Sequence, residues 1–151
     1  MEIEKLQSAI KSIINSNNLS VKKKLTKICD ALKQEVSHYD WVGFYFAQPE
    51  TQTLHLEAFA GESTDHTVIP FGKGICGQVA LSNQNFIVPD VLAQDNYIAC
   101  NINVKSEIVV PLFKNKKNVG QIDIDSHTPN AFSKQDEDFL MWVNYQVASI
   151  L

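Results

Sequence analysis

The sequence contains no long apolar segment. Among its 151 residues, no run approaches the ~18–20 apolar residues that a membrane-spanning helix requires. Glu2 and Glu4 stand at the N-terminus without an apolar segment beside them, which is not the pattern of a secretory signal peptide. Internal repeats and low-complexity linkers are also absent, and the length suits one domain over residues 1–151. We therefore expect a cytoplasmic, single-domain protein that does not associate with membranes.

An excess of basic residues is missing as well. The chain has 13 Lys and Arg against 17 Asp and Glu, which gives a formal net charge of −4. Proteins that bind nucleic acid take their affinity from clustered Lys and Arg. The two short basic runs, at 22–24 and 114–117, are typical of a solvated helix face or turn. Nucleic acid is therefore not an expected partner.

Cysteine is scarce, and its spacing fits no common structural site. The chain has three cysteines, Cys29, Cys76 and Cys100, and an odd number argues against the paired disulfides of a secreted protein. No Cys-x-x-Cys pair occurs, and the four histidines are scattered, so a zinc site of the usual spacing is unsupported. We expect no metal and no cofactor, and cysteines that are free, catalytic or transiently oxidised.

Helical periodicity marks both ends of the chain. Apolar residues recur three or four positions apart in two N-terminal segments and in one C-terminal segment. Ser20 is the predicted N-cap of the second helix, and Ser133 that of the last, with Asp136 at the capping-box position. Cys29 lies on the apolar stripe of the second helix, so we expect it to be a buried core residue.

The middle of the chain predicts β-structure. The predicted strands or extended segments cover residues 41–46, 53–59, 68–71, 86–88, 107–113 and 119–125. Residues 75–81 predict a short helix, and 114–118 predict a five-residue hairpin loop. The polar connection over 89–105 is of a length that is usually functional or disordered. This order predicts an α+β fold, in which an antiparallel sheet of about six strands is sandwiched between helices.

A glycine-rich string over residues 72–77 precedes the predicted short helix. Glycines permit a close approach of the backbone, and the start of a helix favours an anion such as a ligand carboxylate. The same position would lower the pKa of the Cys76 thiol. Lys73 sits between glycines, which is not the arrangement of a nucleotide phosphate loop. The alternative is a simple turn.

Cys100 lies in the polar connection, within the string 96–101. A cysteine in a polar loop is more exposed and more reactive than one on a helix stripe. Cys100 is therefore a candidate nucleophile, and an incidental loop thiol is the alternative.

Acidic residues occupy two neighbouring late strands. Asp123 and Asp125 lie two positions apart and share one face of their strand, while Ile122 and Ile124 face the core. Glu107 opens the paired strand. Crowded carboxyls raise one another's pKa, so one of them can hold a proton near neutrality. Such a pocket suits an ammonium ligand, a metal or a general acid, and a solvated sheet face is the alternative.

Aromatic residues are concentrated on the first strand. Trp41, Phe44 and Tyr45 either form an aromatic wall of the pocket or belong to the core.

Taken together, these motifs resemble the GAF-domain free methionine-(R)-sulfoxide reductases. The matching strings follow the family order across almost the whole chain, at residues 40–45, 69–77, 88–91, 98–100, 106–111 and 120–126. The resemblance implies a GAF fold with a small ligand pocket under a loop. It also implies an enzyme that reduces free L-methionine-(R)-sulfoxide to L-methionine through a cysteine sulfenic acid and a disulfide. Thioredoxin or a similar dithiol would be the reductant. Both a monomer and a homodimer are compatible with the resemblance.

The resemblance also assigns residue roles. Cys100 matches the nucleophile and Cys76 the second pocket cysteine. Three acids match those that hold the substrate amine and sulfoxide, and two aromatic residues match the wall near the methyl-sulfinyl end: Glu107, Asp123, Asp125, Trp41 and Tyr45. Among the acids, we expect Asp123 and Asp125 to hold the amine and Glu107 to act as the general acid, because a carboxyl crowded by other acids can remain protonated.

Two positions depart from the family pattern. His66 stands ten residues before Cys76, where family members commonly carry a third cysteine, and Asn101 replaces the usual aspartate after Cys100. The sulfenic acid would then be resolved by Cys76 or by an external thiol. Two other readings remain open: a non-catalytic GAF module that binds a small ligand, and a redox sensor that uses Cys76 and Cys100.

Overall fold

The computed structural model describes residues 2–98 and 102–151. Its elements, in chain order, are α1 (Ile3–Ile14), α2 (Val21–Glu35), β1 (Trp41–Gln48), β2 (Thr53–Ala60), β3 (Val68–Pro70), α3 (Gly74–Ser82), β4 (Phe86–Val88), a 3-10 helix (Val91–Ala93), β5 (Ser106–Lys114), β6 (Lys117–Ser126) and α4 (Lys134–Ala148). None of the helices in these ranges combines the length and the apolar character needed to cross a membrane.

The six strands form one antiparallel sheet in the order β3-β2-β1-β6-β5-β4. The two strands that carry the three predicted acids, β6 and β5, lie beside each other, and β1 flanks β6 on its other side. This arrangement confirms the α+β fold and brings residues from both halves of the chain to the centre of the sheet.

Helices cover both faces of the sheet. The larger apolar core unites α1, α2 and α4 with one sheet face, and it includes Ile122, Ile124 and the buried Cys29. A smaller cluster joins α3 to the opposite face and includes Trp41 and Tyr45. The alternation of side chains along a strand therefore places the acids of β6 on the side of α3.

The predicted helix starts are confirmed. Ser20 Oγ accepts a hydrogen bond from the Lys23 amide at 3.2 Å, and Asp136 Oδ2 accepts one from the Ser133 amide at 2.8 Å. Each bond satisfies a backbone N–H that the first turn of a helix leaves free.

The turn between β5 and β6 is shorter than the sequence predicts. Pairing continues to Lys114 and Lys117, which leaves a two-residue turn at Asn115 and Lys116 with φ of 53° and 66°. Positive φ at both central residues is the type I′ geometry that suits the twist of a hairpin. The five-residue loop was therefore a wrong prediction, because lysine at the second position hid the turn.

Candidate active site

The three acids meet at the centre of the sheet. Glu107 on β5 is paired with Asp125 on β6, and Asp123 is paired with Val109. The exposed fractions of Glu107, Asp123 and Asp125 are 5%, 3% and 3%. The alternative of a solvated sheet face is therefore wrong, and the acids form a buried cluster.

Burial dominates the electrostatics of this cluster. It raises the pKa of Asp123 and of Asp125, and the charge of Asp123 raises the pKa of Asp125 further. Hydrogen bonds with Glu107 act in the opposite direction on both aspartates. Because neighbouring buried carboxyls cannot all be ionised, the cluster favours retention of a proton.

Cys76 lies in the first turn of α3 and is buried against the acids. One ligand atom from each of Cys76, Glu107 and Asp123 lies within 4.8 Å of the other two. Burial raises the pKa of the Cys76 thiol, and the charges of Asp123 and Glu107 and a hydrogen bond to Asp123 raise it further. The expected lowering of this pKa is therefore wrong, because the acids and the low-dielectric surroundings outweigh the helix N-terminus.

The glycine-rich turn is tied to the later polar connection by Asn96. Its side-chain oxygen accepts a hydrogen bond from the Gly74 amide at 2.9 Å, and its side-chain nitrogen donates to the Gly72 carbonyl at 2.7 Å. The Gly74 amide, at the helix start that was expected to favour an anion, is therefore occupied by Asn96. Gly72 and Gly74 have φ of 88° and 65°, a left-handed conformation that disfavours other residues.

The aromatic residues of β1 divide between the two faces. Phe44 lies in the larger core, so its predicted alternative as a wall residue is wrong. Trp41 and Tyr45 lie on the side of α3. Trp41 Nε1 donates to the Glu62 carbonyl at 3.0 Å, and the Tyr45 hydroxyl donates to the His66 carbonyl at 2.8 Å. These two hydrogen bonds therefore tie strand β1 to the loop that connects β2 and β3.

Two hollows open on this face. The first, of about 270 Å³, is lined by residues that include Tyr45, His66, Lys73, Cys76, Ile98, Glu107 and Asp123, and we call it the thiol hollow. The second, of about 370 Å³, is lined by residues that include Asp40, Trp41, Glu62, Val104, Asp125 and His127, and we call it the indole hollow. The structure thus divides the predicted site, with Trp41 and Asp125 at one hollow and the other described site residues at the other.

Cys100, the predicted nucleophile, lies outside the described residues, as does Asn101. Ile98 precedes this segment and lines the thiol hollow, and Val104 follows it and lines the indole hollow. Cys29 is remote from both and is buried in the larger core, as predicted. Burial raises its pKa, so it has the character of a structural thiol.

Sequence reasoning did not identify every polar residue of this face. His66 and Lys73 line the thiol hollow, but neither was predicted as a site residue. Gln121 is wholly buried, and neither of its amide atoms has a hydrogen-bond partner in the described part of the chain. Its position two residues before Asp123 was the available signal, since period two places both on one face.

Comparison with known proteins identifies the domain. The family model described as GAF domain matches residues 18–151. The chain is 42% identical over 115 residues to the free methionine-R-sulfoxide reductase of Saccharomyces cerevisiae, an alignment that covers 75% of this chain and 63% of the yeast protein.

Solved structures agree with this result. The type II free methionine-R-sulfoxide reductase of Thermoplasma acidophilum is 39% identical, with a TM-score of 0.82 over 86% of this chain and 91% of that one. The free methionine-R-sulfoxide reductase of Neisseria meningitidis, solved in complex with its substrate, is 30% identical, with a TM-score of 0.91 over 98% of this chain and 87% of that one. The chain belongs to the GAF-domain family of free methionine-R-sulfoxide reductases.

Proposed function

We propose that this protein reduces free L-methionine-(R)-sulfoxide to L-methionine with electrons from thiols. The observation that carries the proposal is the buried cluster of one thiol and three carboxyls beside the thiol hollow. The reductase names of its relatives support the same substrate. In this proposal residues 1–151 act as one GAF domain, in a reducing compartment such as the cytoplasm.

The substrate amine binds against the acids. Asp123 Oδ1 is buried without a hydrogen-bond partner among the described residues, so it is free to accept from an ammonium group. An unsatisfied buried acceptor costs about 1–3 kcal/mol, which the bound ammonium offsets. The Asp125 carboxyl, two residues along β6 on the same face, is a second oxygen acceptor nearby. Lys73 lines the same hollow and supplies a positive charge for the substrate carboxylate.

The Cys100 thiolate then attacks the sulfoxide sulfur. Glu107 gives its proton to the sulfoxide oxygen, because an unprotonated oxygen leaves poorly. The oxygen passes to the Cys100 sulfur as a hydroxyl group, so the methionine sulfur gains two electrons and the Cys100 sulfur loses two. Methionine and a cysteine sulfenic acid are the products. The lining positions of Ile98 and Val104, on either side of residues 99–101, support a nucleophile from this segment.

Cys76 resolves the sulfenic acid. Its thiol condenses with Cys100, a disulfide forms, and the hydroxyl group leaves as water. Thioredoxin or a similar dithiol then supplies two electrons and two protons and becomes oxidised itself. The place of the Cys76 thiol in the thiol hollow, which Ile98 also lines, supports this step.

The test is an assay of methionine release from purified protein with dithiothreitol or thioredoxin. We expect turnover of the free R epimer, and at least a hundredfold loss in Cys100→Ser. Cys29→Ser is the matched control and keeps its turnover, because Cys29 lies in the other core. No methionine release by wild type would refute the proposal. Peroxide-driven oxidation of the cysteines without turnover would favour the redox sensor instead.

A further inference from the structure

The thiol hollow contains the donor atoms of a metal site. We propose that Cys76, Glu107 and Asp123 bind a divalent cation of the zinc class when the hollow holds no substrate. One ligand atom from each residue lies within 4.8 Å of the other two, and all three residues are buried. The spacing of the acids allowed a metal as one of several ligands, but no spacing places Cys76 beside them, because the three ligands come from α3, β5 and β6.

The donor set selects the class of metal. One sulfur and two carboxylate oxygens suit Zn²⁺, whereas Mg²⁺ and Ca²⁺ prefer oxygen ligands alone. Bonds to Zn²⁺ are about 2.3 Å from sulfur and about 2.0–2.2 Å from oxygen. The three donor atoms lie within 4.8 Å of one another, so a single ion between them is close to all three. The fourth position of a tetrahedral ion is left for water or an added ligand.

A second observation also points to a cation. Asp123 is 3% exposed, and its Oδ1 atom has no hydrogen-bond partner in the described ranges. Within the same ranges, neither Asp123 nor Asp125 takes part in an ion pair. Buried carboxylates are normally paired or coordinate a metal, so the Asp123 Oδ1 atom is open to a positive charge.

Binding exchanges protons for the ion. The Cys76 thiol is hydrogen-bonded to Asp123 and loses its proton when the sulfur binds the metal. The carboxyl proton of the cluster is released in the same way.

The consequence is competition with the substrate, and this part rests on the proposed function. Asp123 is the proposed acceptor for the substrate ammonium group. It therefore cannot bind that group and the metal ion at the same time with full affinity. Zinc then acts as a reversible inhibitor that occupies the reduced hollow.

The binding test uses Cd²⁺, a zinc substitute whose bond to a thiolate absorbs in the ultraviolet. We expect one Cd²⁺ per reduced chain, displaced by Zn²⁺. The thiolate absorption disappears in Cys76→Ser and persists in the control Cys29→Ser, because Cys29 lies in the other core. Asp123→Asn weakens the affinity at least about tenfold, and circular dichroism verifies the fold of each variant. Retained absorption in Cys76→Ser, or wild-type affinity in Asp123→Asn, would overturn the site.

A second titration separates this inference from the proposed function. Free methionine carries the same ammonium group but no oxygen to transfer, and we expect it to weaken Cd²⁺ binding. If Cys76-dependent binding occurs without any reductase turnover, the metal site stands and the proposed function fails. If turnover occurs without Cys76-dependent Cd²⁺ binding, the proposed function stands and the metal site fails. Binding that is insensitive to methionine, in an active protein, would overturn the competition.

Discussion

Glu107 on β5 and Asp125 on β6 lie directly opposite each other in the antiparallel ladder, and both side chains are buried. Like charges in directly opposite positions destabilise a sheet. Retention of a proton removes this repulsion, and it also leaves an acid available for catalysis. The same pair therefore links the stability of the fold to the proposed chemistry.

The pH dependence of stability tests this link. Burial, and then the charge of Asp123, raises the pKa of Asp125 in the folded protein. The contribution of Asp125 to stability is therefore complete below its unfolded-state pKa of about 3.9. This contribution is lost as the pH rises through its folded-state pKa. In urea unfolding across the acid to neutral range, we expect Asp125→Asn to lose less stability with rising pH than wild type.

The exposed Asp65 provides the control for this comparison. Asp65→Asn should follow the wild-type profile, because its side chain is already solvated. Parallel profiles for wild type and Asp125→Asn would contradict the account of the buried acids.

Alkylation of the cysteines tests the environment of Cys76. Burial and the neighbouring acids raise the pKa of its thiol, and burial does the same for Cys29. Since only the thiolate reacts, iodoacetamide near neutral pH should spare both residues in the folded protein. We expect mass spectrometry to find Cys100 labelled first, and all three labelled in denaturant. Labelling of Cys76 at the rate of a free thiol would contradict this.

Removal of the Tyr45 hydroxyl tests whether this group positions the wall of the thiol hollow. Tyr45→Phe removes the hydrogen bond to the His66 carbonyl, which typically weakens a structure by about 1 kcal/mol. We expect about a fivefold fall in kcat/KM, mostly through KM, in the methionine-release assay. The control is Tyr145→Phe, because Tyr145 is 77% exposed on α4. Equal effects of the two substitutions would show that the hydroxyl does not position the wall.

Asp136 provides a test of the fold away from the site. Burial acts to raise its pKa, but hydrogen bonds from the Ser133 amide, Tyr39 and His38 outweigh burial and lower it. Its contribution to stability is therefore present above the unfolded pKa and is lost as pH falls through the folded one. We expect Asp136→Asn to lower the free energy of unfolding by roughly 1–3 kcal/mol near neutral pH.

Urea unfolding at neutral and acid pH measures this loss and its decline in acid. Asp138→Asn is the control on the same helix, since the Asp138 side chain is 62% exposed. If the loss of unfolding free energy in Asp136→Asn were as large at acid pH as at neutral pH, the lowered pKa of Asp136 would be contradicted.

Periodicity predicted the parts of this structure that depend on local pattern. The helix starts at Ser20 and Ser133 and the shared face of Asp123 and Asp125 follow from spacing alone. The two-residue turn at Asn115 was missed because a type I′ turn with lysine has no strong sequence signal.

The remainder of the site depends on contacts between distant segments. Asn96 bonds to the glycine-rich turn, and the Tyr45 hydroxyl bonds to the His66 carbonyl. No regular spacing of residues in the sequence predicts either contact. The pKa of Cys76 was predicted with the wrong sign because the helix start is local, whereas the opposing acids come from β5 and β6. Gln121 is likewise buried by contacts between distant segments, and its amide atoms have no hydrogen-bond partner within residues 2–98 and 102–151.

A single turnover without reductant tests the central claim most directly. Reduced protein is freed of thiols, mixed with excess free L-methionine-(R)-sulfoxide, and analysed for methionine and for cysteine pairing by mass spectrometry. The account predicts one methionine per chain and a disulfide between Cys76 and Cys100. Absence of methionine, or methionine formed equally by Cys100→Ser, would contradict it.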